Sequence, residues 1–134
     1  MTDRELCDAA VAAMARAYAP YSGYTVGAAL LTADGKVYTG CNIENAAYTP
    51  TVCAERTAFC KAVSEGERRF AAIAVAGGKQ GTLDGAFPPC GVCRQVMAEF
   101  CDPDFRVLIV KNTADWDVCR LGDLLPYAFT PENI

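Results

Sequence analysis

Residues 87–96 read FPPCGVCRQV and place Cys90 and Cys93 in a C-x-x-C spacing directly after two prolines. The glycine-rich stretch that ends at Pro89 predicts a loop, and the apolar spacing of CGVCRQVMAEF (90–100) predicts a helix that starts at the cysteines. Two cysteines at this spacing hold a metal, form a redox couple, or only pack in a core. A metal would need further ligands, and the chain contains no histidine to provide them.

A second stretch, VCAERTAF (52–59), predicts the start of another helix and offers a third thiol. Cys53 lies in the first turn of that helix, as Cys90 and Cys93 lie in the first turn of theirs. The positive end of a helix dipole lowers the pKa of a thiol, and the thiolate is the form that binds zinc. Catalytic zinc sites have three protein ligands and one open position, whereas structural sites close all four. We therefore predict a catalytic-type zinc site of Cys53, Cys90 and Cys93.

Glu55 and Arg56 follow Cys53 closely enough to act on the same site. The Glu55 carboxylate can come near the metal without ligating it, accept a proton from a zinc-bound water and pass it on. Three thiolates leave zinc with a net negative formal charge, which weakens its ability to acidify water. We predict that Arg56 donates to the thiolates and restores part of that ability.

The remaining segments predict an α/β fold. The expected elements are a helix over 5–19 ended by Pro20, strands at 24–32 and 36–42, a helix over 51–65, a strand at 70–78, a helix over 90–100, a strand at 106–111, a short strand near 118 and a helical turn near 124. Asp34-Gly35 between the first two strands is a hairpin signal. The order predicts a three-layer α/β/α sandwich around a mixed five-stranded sheet.

Composition restricts the partners. The 134 residues, 52% hydrophobic and 21% charged, predict a single folded domain over 1–134. The longest apolar runs, such as VLIV (107–110), are too short to span a membrane, and the N-terminus lacks the layout of a secretion signal. A net charge of −4 without a basic cluster argues against a nucleic-acid partner. We therefore expect a small neutral or cationic ligand.

The chain contains eight cysteines. Without a signal peptide, reduced thiols in the cytoplasm are a better interpretation than disulfides. Cys7, Cys60 and Cys101 fall within apolar helical patterns and are predicted to be small buried hydrophobes. The absence of histidine excludes a Ser-His or Cys-His nucleophile pair and a histidine general base.

CAER (53–56) followed by PCGVCR (89–94) resembles the zinc-dependent cytidine deaminases, in the small homotetrameric form whose zinc is held by three cysteines. The resemblance extends over AYAPYSGYTVGAAL (17–30), GCNIENAAY (40–48) and LLPYAF (124–129). It implies a cytidine deaminase-like fold, one Zn²⁺ per subunit on Cys53, Cys90 and Cys93, and Glu55 as the proton shuttle. The implied reaction converts cytidine and 2′-deoxycytidine to uridine, 2′-deoxyuridine and ammonia in pyrimidine salvage. In this family mechanism a zinc-bound hydroxide attacks C4 of the base.

The resemblance also implies a substrate pocket. Asn42 and Glu44 match the segment that hydrogen-bonds the ribose hydroxyls, and Ala54 is expected among the substrate-binding residues. Tyr24 lies where the family often has phenylalanine against the pyrimidine. Phe129 matches an aromatic residue that completes a neighbouring subunit's site, which implies a homotetramer.

Several alternatives remain open. C-x-x-C is also the spacing of a thioredoxin-like redox pair, although that motif follows a strand near the N-terminus of its fold. A closed structural zinc site, with Cys101 or Cys41 as the fourth ligand, leaves Glu55 without a role. A non-enzymatic zinc module that binds a partner also predicts a closed site. Deaminases of aminonucleoside antibiotics such as blasticidin share the zinc motifs but differ around the sugar segment. Deaminases of mononucleotides or of bases in RNA or DNA need a cationic surface.

Overall fold

The computed structural model describes residues 1–134 and shows helices and strands in the predicted order. The elements are α1 (Asp3–Ala13), β1 (Tyr24–Thr32), β2 (Val37–Cys41), α2 (Ala54–Ser64), β3 (Phe70–Lys79), α3 (Gly91–Phe100), β4 (Arg106–Asn112), β5 (Asp115–Arg120) and α4 (Leu121–Leu124). Two 3₁₀ turns complete the list, at Met14–Arg16 and Pro131–Asn133.

The five strands form one mixed sheet in the order β2-β1-β3-β4-β5. Strands β3 and β4 are parallel, with Val75 opposite Ile109, and the other three pairs are antiparallel. A parallel pair needs a crossover connection, and α3 lies within the segment that joins β3 to β4. The mixed five-stranded sheet predicted from the sequence is confirmed.

Both faces of the sheet are buried, because side chains that alternate along the strands pack against helices on either side. One face packs against α2 and α3 through a cluster that includes Ala28, Leu30, Ile73, Val75, Val107 and Ile109. The opposite face packs against α1 through a cluster that includes Ala29, Ala72, Ala74, Ala76, Leu108 and Val110. Successive strand residues point to opposite faces, so β3 and β4 are apolar almost throughout. The result is the predicted three-layer α/β/α sandwich.

Helix α1 is shorter than the sequence predicts. It ends at Ala13 and continues only as a 3₁₀ turn to Arg16, instead of reaching residue 19. The chain leaves the helical path because the backbone of Tyr18 pairs elsewhere. Its N–H donates to the Asn42 carbonyl at 3.0 Å, and its carbonyl accepts from the Glu44 N–H at 2.8 Å. This pairing ties the end of the α1 segment to residues 42–44.

Helix α2 also starts later than predicted, at Ala54 and not at residue 51. Val52 instead forms an antiparallel bridge with Ile43, whose backbone exchanges two hydrogen bonds with it. Cys53 is therefore the N-cap of α2, with an extended backbone, and does not lie inside the first turn.

The first turns of α2 approach the sheet closely because residue 40 is glycine. A Cβ at Gly40 would lie 2.6 Å from the backbone nitrogen of Ala58. Gly40→Ala is expected to lower the free energy of unfolding by about 1–3 kcal/mol, since α2 must move away from β2. Urea unfolding should be compared with Gly91→Ala, whose methyl group would meet open space. An equal effect in the two variants would contradict this explanation.

The predicted burial of three helical cysteines is only partly confirmed. Cys7 is buried, but Cys60 is exposed on α2, and Cys101 is half-buried at the end of α3. The prediction for Cys60 was wrong because the apolar spacing did not indicate which side of α2 faces the sheet. All eight cysteines are free thiols. No helix combines the length and apolarity that crossing a membrane requires.

Candidate active site

Three thiols meet where the N-termini of α2 and α3 converge. Cys53 is the N-cap of α2, Cys90 is the N-cap of α3, and Cys93 lies in the first turn of α3. Their sulfur atoms all lie within 4.8 Å of one another, and the Sγ atoms of Cys53 and Cys90 are 3.9 Å apart. Zn–S bonds of about 2.3 Å in a tetrahedral site place sulfurs about 3.8 Å apart. Neither N-cap thiol caps its helix through a hydrogen bond from a backbone N–H, and the donor set fits zinc in both chemistry and spacing.

Arg56 contacts the cluster directly. Its Nη2 donates to Cys53 Sγ at 3.2 Å, and its Nε is buried without a hydrogen-bond partner. The hydrogen bond from Cys93 and the Arg56 guanidinium lower the pKa of the Cys53 thiol to about 5, against the opposing effect of burial. Cys53 is thus held in the thiolate form that a metal requires. The contact agrees with the sequence-based interpretation of Arg56.

Arg56→Gln is expected to reduce zinc affinity or activity about 10- to 100-fold, the usual effect of removing a group that orients metal ligands. Competition with a chromogenic chelator measures the affinity, and Arg68→Gln serves as a control because Arg68 only donates to the backbone carbonyls of Val63 and Glu67. A normal zinc affinity together with normal turnover in Arg56→Gln would contradict the role.

A cavity of about 190 Å³ lies against the cluster, and Glu55 lines it beside Cys53 and Cys90. Only 4% of the Glu55 surface is exposed. Burial, assisted by the neighbouring Cys53, raises the pKa of the Glu55 carboxyl to about 7. A buried carboxyl that ionises near neutrality is typical of a general acid–base group. The cysteine cluster therefore adjoins, on its cavity side, a group that can move protons.

Asn42 lines the same cavity and is held by strand β1. Its Nδ2 donates to the Tyr24 carbonyl at 2.8 Å, and its Oδ1 accepts from the Val26 N–H at 2.9 Å. A carboxamide has two donor hydrogens and two acceptor lone pairs. One donor and one acceptor of Asn42 therefore remain for a ligand.

Glu44 lines a second, adjoining cleft of about 360 Å³ with Tyr21, Ser22, Tyr48 and Thr51. Its Oε1 accepts from the backbone N–H groups of Tyr21 and Ser22 at 2.9 and 3.1 Å, and its Oε2 accepts from the Ser22 hydroxyl. The Ser22 hydroxyl and these amides lower the pKa of the Glu44 carboxyl. Thr51 lines both spaces, so the inner cavity and the Glu44 cleft lie on either side of this residue.

The other expected substrate residues are distributed unevenly. Ala54 lines the inner cavity, whereas Tyr24 lines neither space and has 44% of its surface exposed. Phe129 lines neither space within the subunit and is 62% exposed. Its carbonyl accepts a hydrogen bond of 2.7 Å from Gln95 Nε2 on α3, which fixes the C-terminal segment against that helix. The structure thus brings together all the expected site residues except Tyr24 and Phe129.

Several cavity residues were missed by sequence reasoning. Val26 and Val75 line the inner cavity from the sheet, and Phe87 and Pro88 line it from the loop before α3. The two valines lie in predicted strands, but a strand pattern does not indicate a cavity. Phe87 stands in a loop without periodicity, so its only signal was its position three residues before Cys90.

These features define a class of protein: a zinc-dependent hydrolase with three thiol ligands and a buried carboxylate that does not belong to the cluster. A family model described as "Cytidine and deoxycytidylate deaminase zinc-binding region" matches residues 1–109. The cytidine deaminase of Sporosarcina psychrophila is 50% identical over 119 residues, which cover 89% of this chain and 85% of that protein. The cytidine deaminase of Halalkalibacterium halodurans is 49% identical over 133 residues, 98% of each chain.

A crystal structure of cytidine deaminase from Burkholderia pseudomallei superimposes with a TM-score of 0.88 at 51% identity, covering 96% of this chain and 100% of that chain. A structure of cytidine deaminase from Mycobacterium tuberculosis gives a TM-score of 0.80 at 42% identity, with coverage of 96% and 98%. The chain belongs to the zinc-dependent cytidine deaminase family. It is accordingly an enzyme, and its three-cysteine cluster suits one zinc ion.

Proposed function

We propose that the chain hydrolyses cytidine and 2′-deoxycytidine to uridine, 2′-deoxyuridine and ammonia. The observation that carries this proposal is one cavity, lined by Cys53 and Cys90 of the three-thiol cluster and by the buried Glu55. When bound to Cys53, Cys90 and Cys93, zinc would supply a Lewis acid that lowers the pKa of a water ligand. We assign the remaining proton chemistry to Glu55.

Glu55 would act first as a base and then as an acid. It accepts a proton from the attacking water and delivers it to N3 of the pyrimidine, and then moves the second proton to the departing amine, so that ammonia leaves. Val26 and Val75 give the cavity apolar walls, which limit its water and strengthen electrostatic interactions inside it. The carboxylate must therefore exchange protons with the substrate and the attacking water, and not with bulk solvent.

The two adjoining spaces support a nucleoside as the substrate. The inner cavity is small enough for a one-ring base, and the adjoining Glu44 cleft offers room for the sugar. We assign to Asn42 and Glu44 the ribose hydroxyls, because each retains hydrogen-bonding capacity on the cavity side. Neither space is lined by lysine or arginine, so neither offers the cation that a 5′-phosphate would need.

Further aspects of the proposal rest on the family and on exposed aromatic residues. We propose that residues 1–134 form one deaminase domain and that it acts in pyrimidine salvage in the cytoplasm. Phe129, Tyr48 and Tyr127 are all more than 60% exposed, which is unusual for large apolar groups. A homotetramer would cover such residues and would allow Phe129 and Tyr24 to contact base at a shared site.

The test is loss of ultraviolet absorbance with zinc-loaded protein and cytidine, with deoxycytidine, cytosine, CMP and blasticidin S in parallel. Conversion of the two nucleosides, with cytosine and CMP unchanged, is the expected result. Ammonia release should match the loss of substrate. An unchanged absorbance of cytidine with a zinc-loaded sample would overturn the proposal. Conversion of blasticidin S alone would favour the antibiotic deaminases.

A further inference from the structure

Phe87 forms an aromatic wall of the inner cavity and packs against Tyr24. Phe87 is half-buried and lines the cavity beside Cys53, Ala54 and Glu55. Its ring centroid lies 5.9 Å from that of Tyr24, with 41° between the ring planes. This spacing is within the range at which aromatic rings attract each other beyond simple burial. The Phe87 ring therefore faces the cavity directly, and the Tyr24 ring, which does not line the cavity, supports it from the side.

Strand β3 makes room for the Phe87 ring because residue 77 is glycine. A Cβ at Gly77 would lie 2.8 Å from Cγ and 2.9 Å from Cδ2 of Phe87. Contacts shorter than 3.0 Å are not tolerated, so any side chain at this position would displace the ring. The absence of a side chain at Gly77 thus leaves the space that the Phe87 ring occupies against this buried strand.

The loop that carries Phe87 is fixed on both sides of it. On one side, the Asp84 N–H donates to the Gly77 carbonyl at 3.2 Å. On the other side, Pro89 is buried and its carbonyl accepts from Arg94 Nε at 2.7 Å. Pro88 and Pro89 also restrict the backbone between Phe87 and the metal ligand Cys90. The ring therefore keeps its place relative to the thiol cluster.

We propose that the Phe87 ring, packed against Gly77, positions the pyrimidine ring in the inner cavity. The same ring holds Tyr24 beside Phe87. This inference rests on the proposed function, since it assigns the cavity to the base. A planar ring packs favourably on an aromatic face, and the cavity of about 190 Å³ leaves little space for other orientations. Phe87 is thus a positioning residue for substrate, not a participant in proton transfer.

Phe87→Leu removes the aromatic face but keeps an apolar side chain. It is expected to raise KM for cytidine about three- to tenfold and to weaken binding of unreactive uridine by a similar factor, since an aromatic contact is worth this much. The value of kcat should change less than about threefold, and zinc content should be unchanged. Phe87→Tyr retains the ring and should keep KM near the wild-type value. Trp116→Leu, a half-buried aromatic residue on strand β5, is the matched control and should leave all four quantities unchanged.

Gly77→Ala tests whether the space at Gly77 fixes the position of the Phe87 ring. It should raise KM in the same direction as Phe87→Leu, because the added methyl displaces the ring. In the double variant the effect on KM should be smaller than the product of the two single effects, because no aromatic ring is left for the methyl to displace, and a double-mutant cycle detects this coupling. Independent, multiplicative effects of the two substitutions would show that Gly77 does not fix the place of the Phe87 ring. An unchanged KM and an unchanged uridine affinity in Phe87→Leu would contradict the positioning role of Phe87.

The experiment separates this inference from the proposed function. If the wild-type protein binds uridine but does not convert cytidine, the proposed function fails, and the uridine affinities of the variants still decide the role of Phe87. If the wild-type protein neither converts cytidine nor binds uridine, both proposals fail.

Discussion

Glu55→Gln is expected to reduce kcat/KM for cytidine by about 10⁴-fold while the protein keeps its fold and its zinc. Glutamine has nearly the same shape as glutamate but can neither accept a proton from water nor deliver one to the base. Glu55 is 4% exposed, and its one side-chain hydrogen bond is to Cys93, with which the glutamine amide can still bond. The substitution therefore removes a buried ionisable group without leaving a partner unsatisfied. Thermal stability should therefore be equal to that of the wild-type protein or higher.

The matched control for this variant is Glu65→Gln, because Glu65 is exposed at the end of α2 and far along the helix from the cavity. Its activity should equal that of the wild-type protein. Substantial turnover by a zinc-loaded Glu55→Gln sample would remove Glu55 from the proposed mechanism. It would also revive the alternative of a zinc module that does not use this carboxylate.

Removal of zinc by a chelator under reducing conditions is expected to abolish activity, and stoichiometric zinc should restore it. The three thiols provide the only cluster of cysteine or carboxylate groups in the chain that is suited to a metal. Cys90→Ser replaces one thiolate with a hydroxyl that is a poor zinc ligand, so added zinc should restore less than about 1% of the activity.

Cys60→Ser is the matched control for the metal site, since Cys60 lies on α2 but is exposed and outside the cluster. Its metal content and activity should equal those of the wild-type protein. Metal analysis of each sample distinguishes loss of zinc from loss of fold. Full activity of a protein shown to be free of zinc would contradict the assignment of the cofactor.

Local patterns were sufficient to predict most elements of the fold. Alternating apolar residues and Asp34-Gly35 predicted strand β1 at 24–32, where the structure has it. The C-x-x-C spacing after two prolines predicted the start of α3 within one residue. These features depend on residues that are near neighbours in the sequence, so periodicity and turn chemistry report them directly.

The parts that sequence reasoning missed depend on contacts between distant segments. The early end of α1 results from pairing between Tyr18 and residues 42–44. The place of Phe87 depends on Gly77 and Tyr24, which lie on two other strands. Similarly, the hydrogen bond from the Ser22 hydroxyl to the Glu44 carboxylate joins the loop before β1 to the loop after β2. No local pattern encodes these pairs, although the motif around the thiols was enough to predict the metal ligands.

Strand β3 lies between the two halves of the metal site along the chain, and this has a consequence for folding kinetics. Cys53 precedes β3, and Cys90 and Cys93 follow it, so the thiols meet only through contacts between distant segments. Such non-local contacts are slow to form, and we therefore expect the thiols to converge late in folding. An interaction absent from the transition state slows unfolding and leaves the folding rate unchanged. Bound zinc should therefore prolong the lifetime of the folded chain, and should leave the rate at which an unfolded chain folds unchanged.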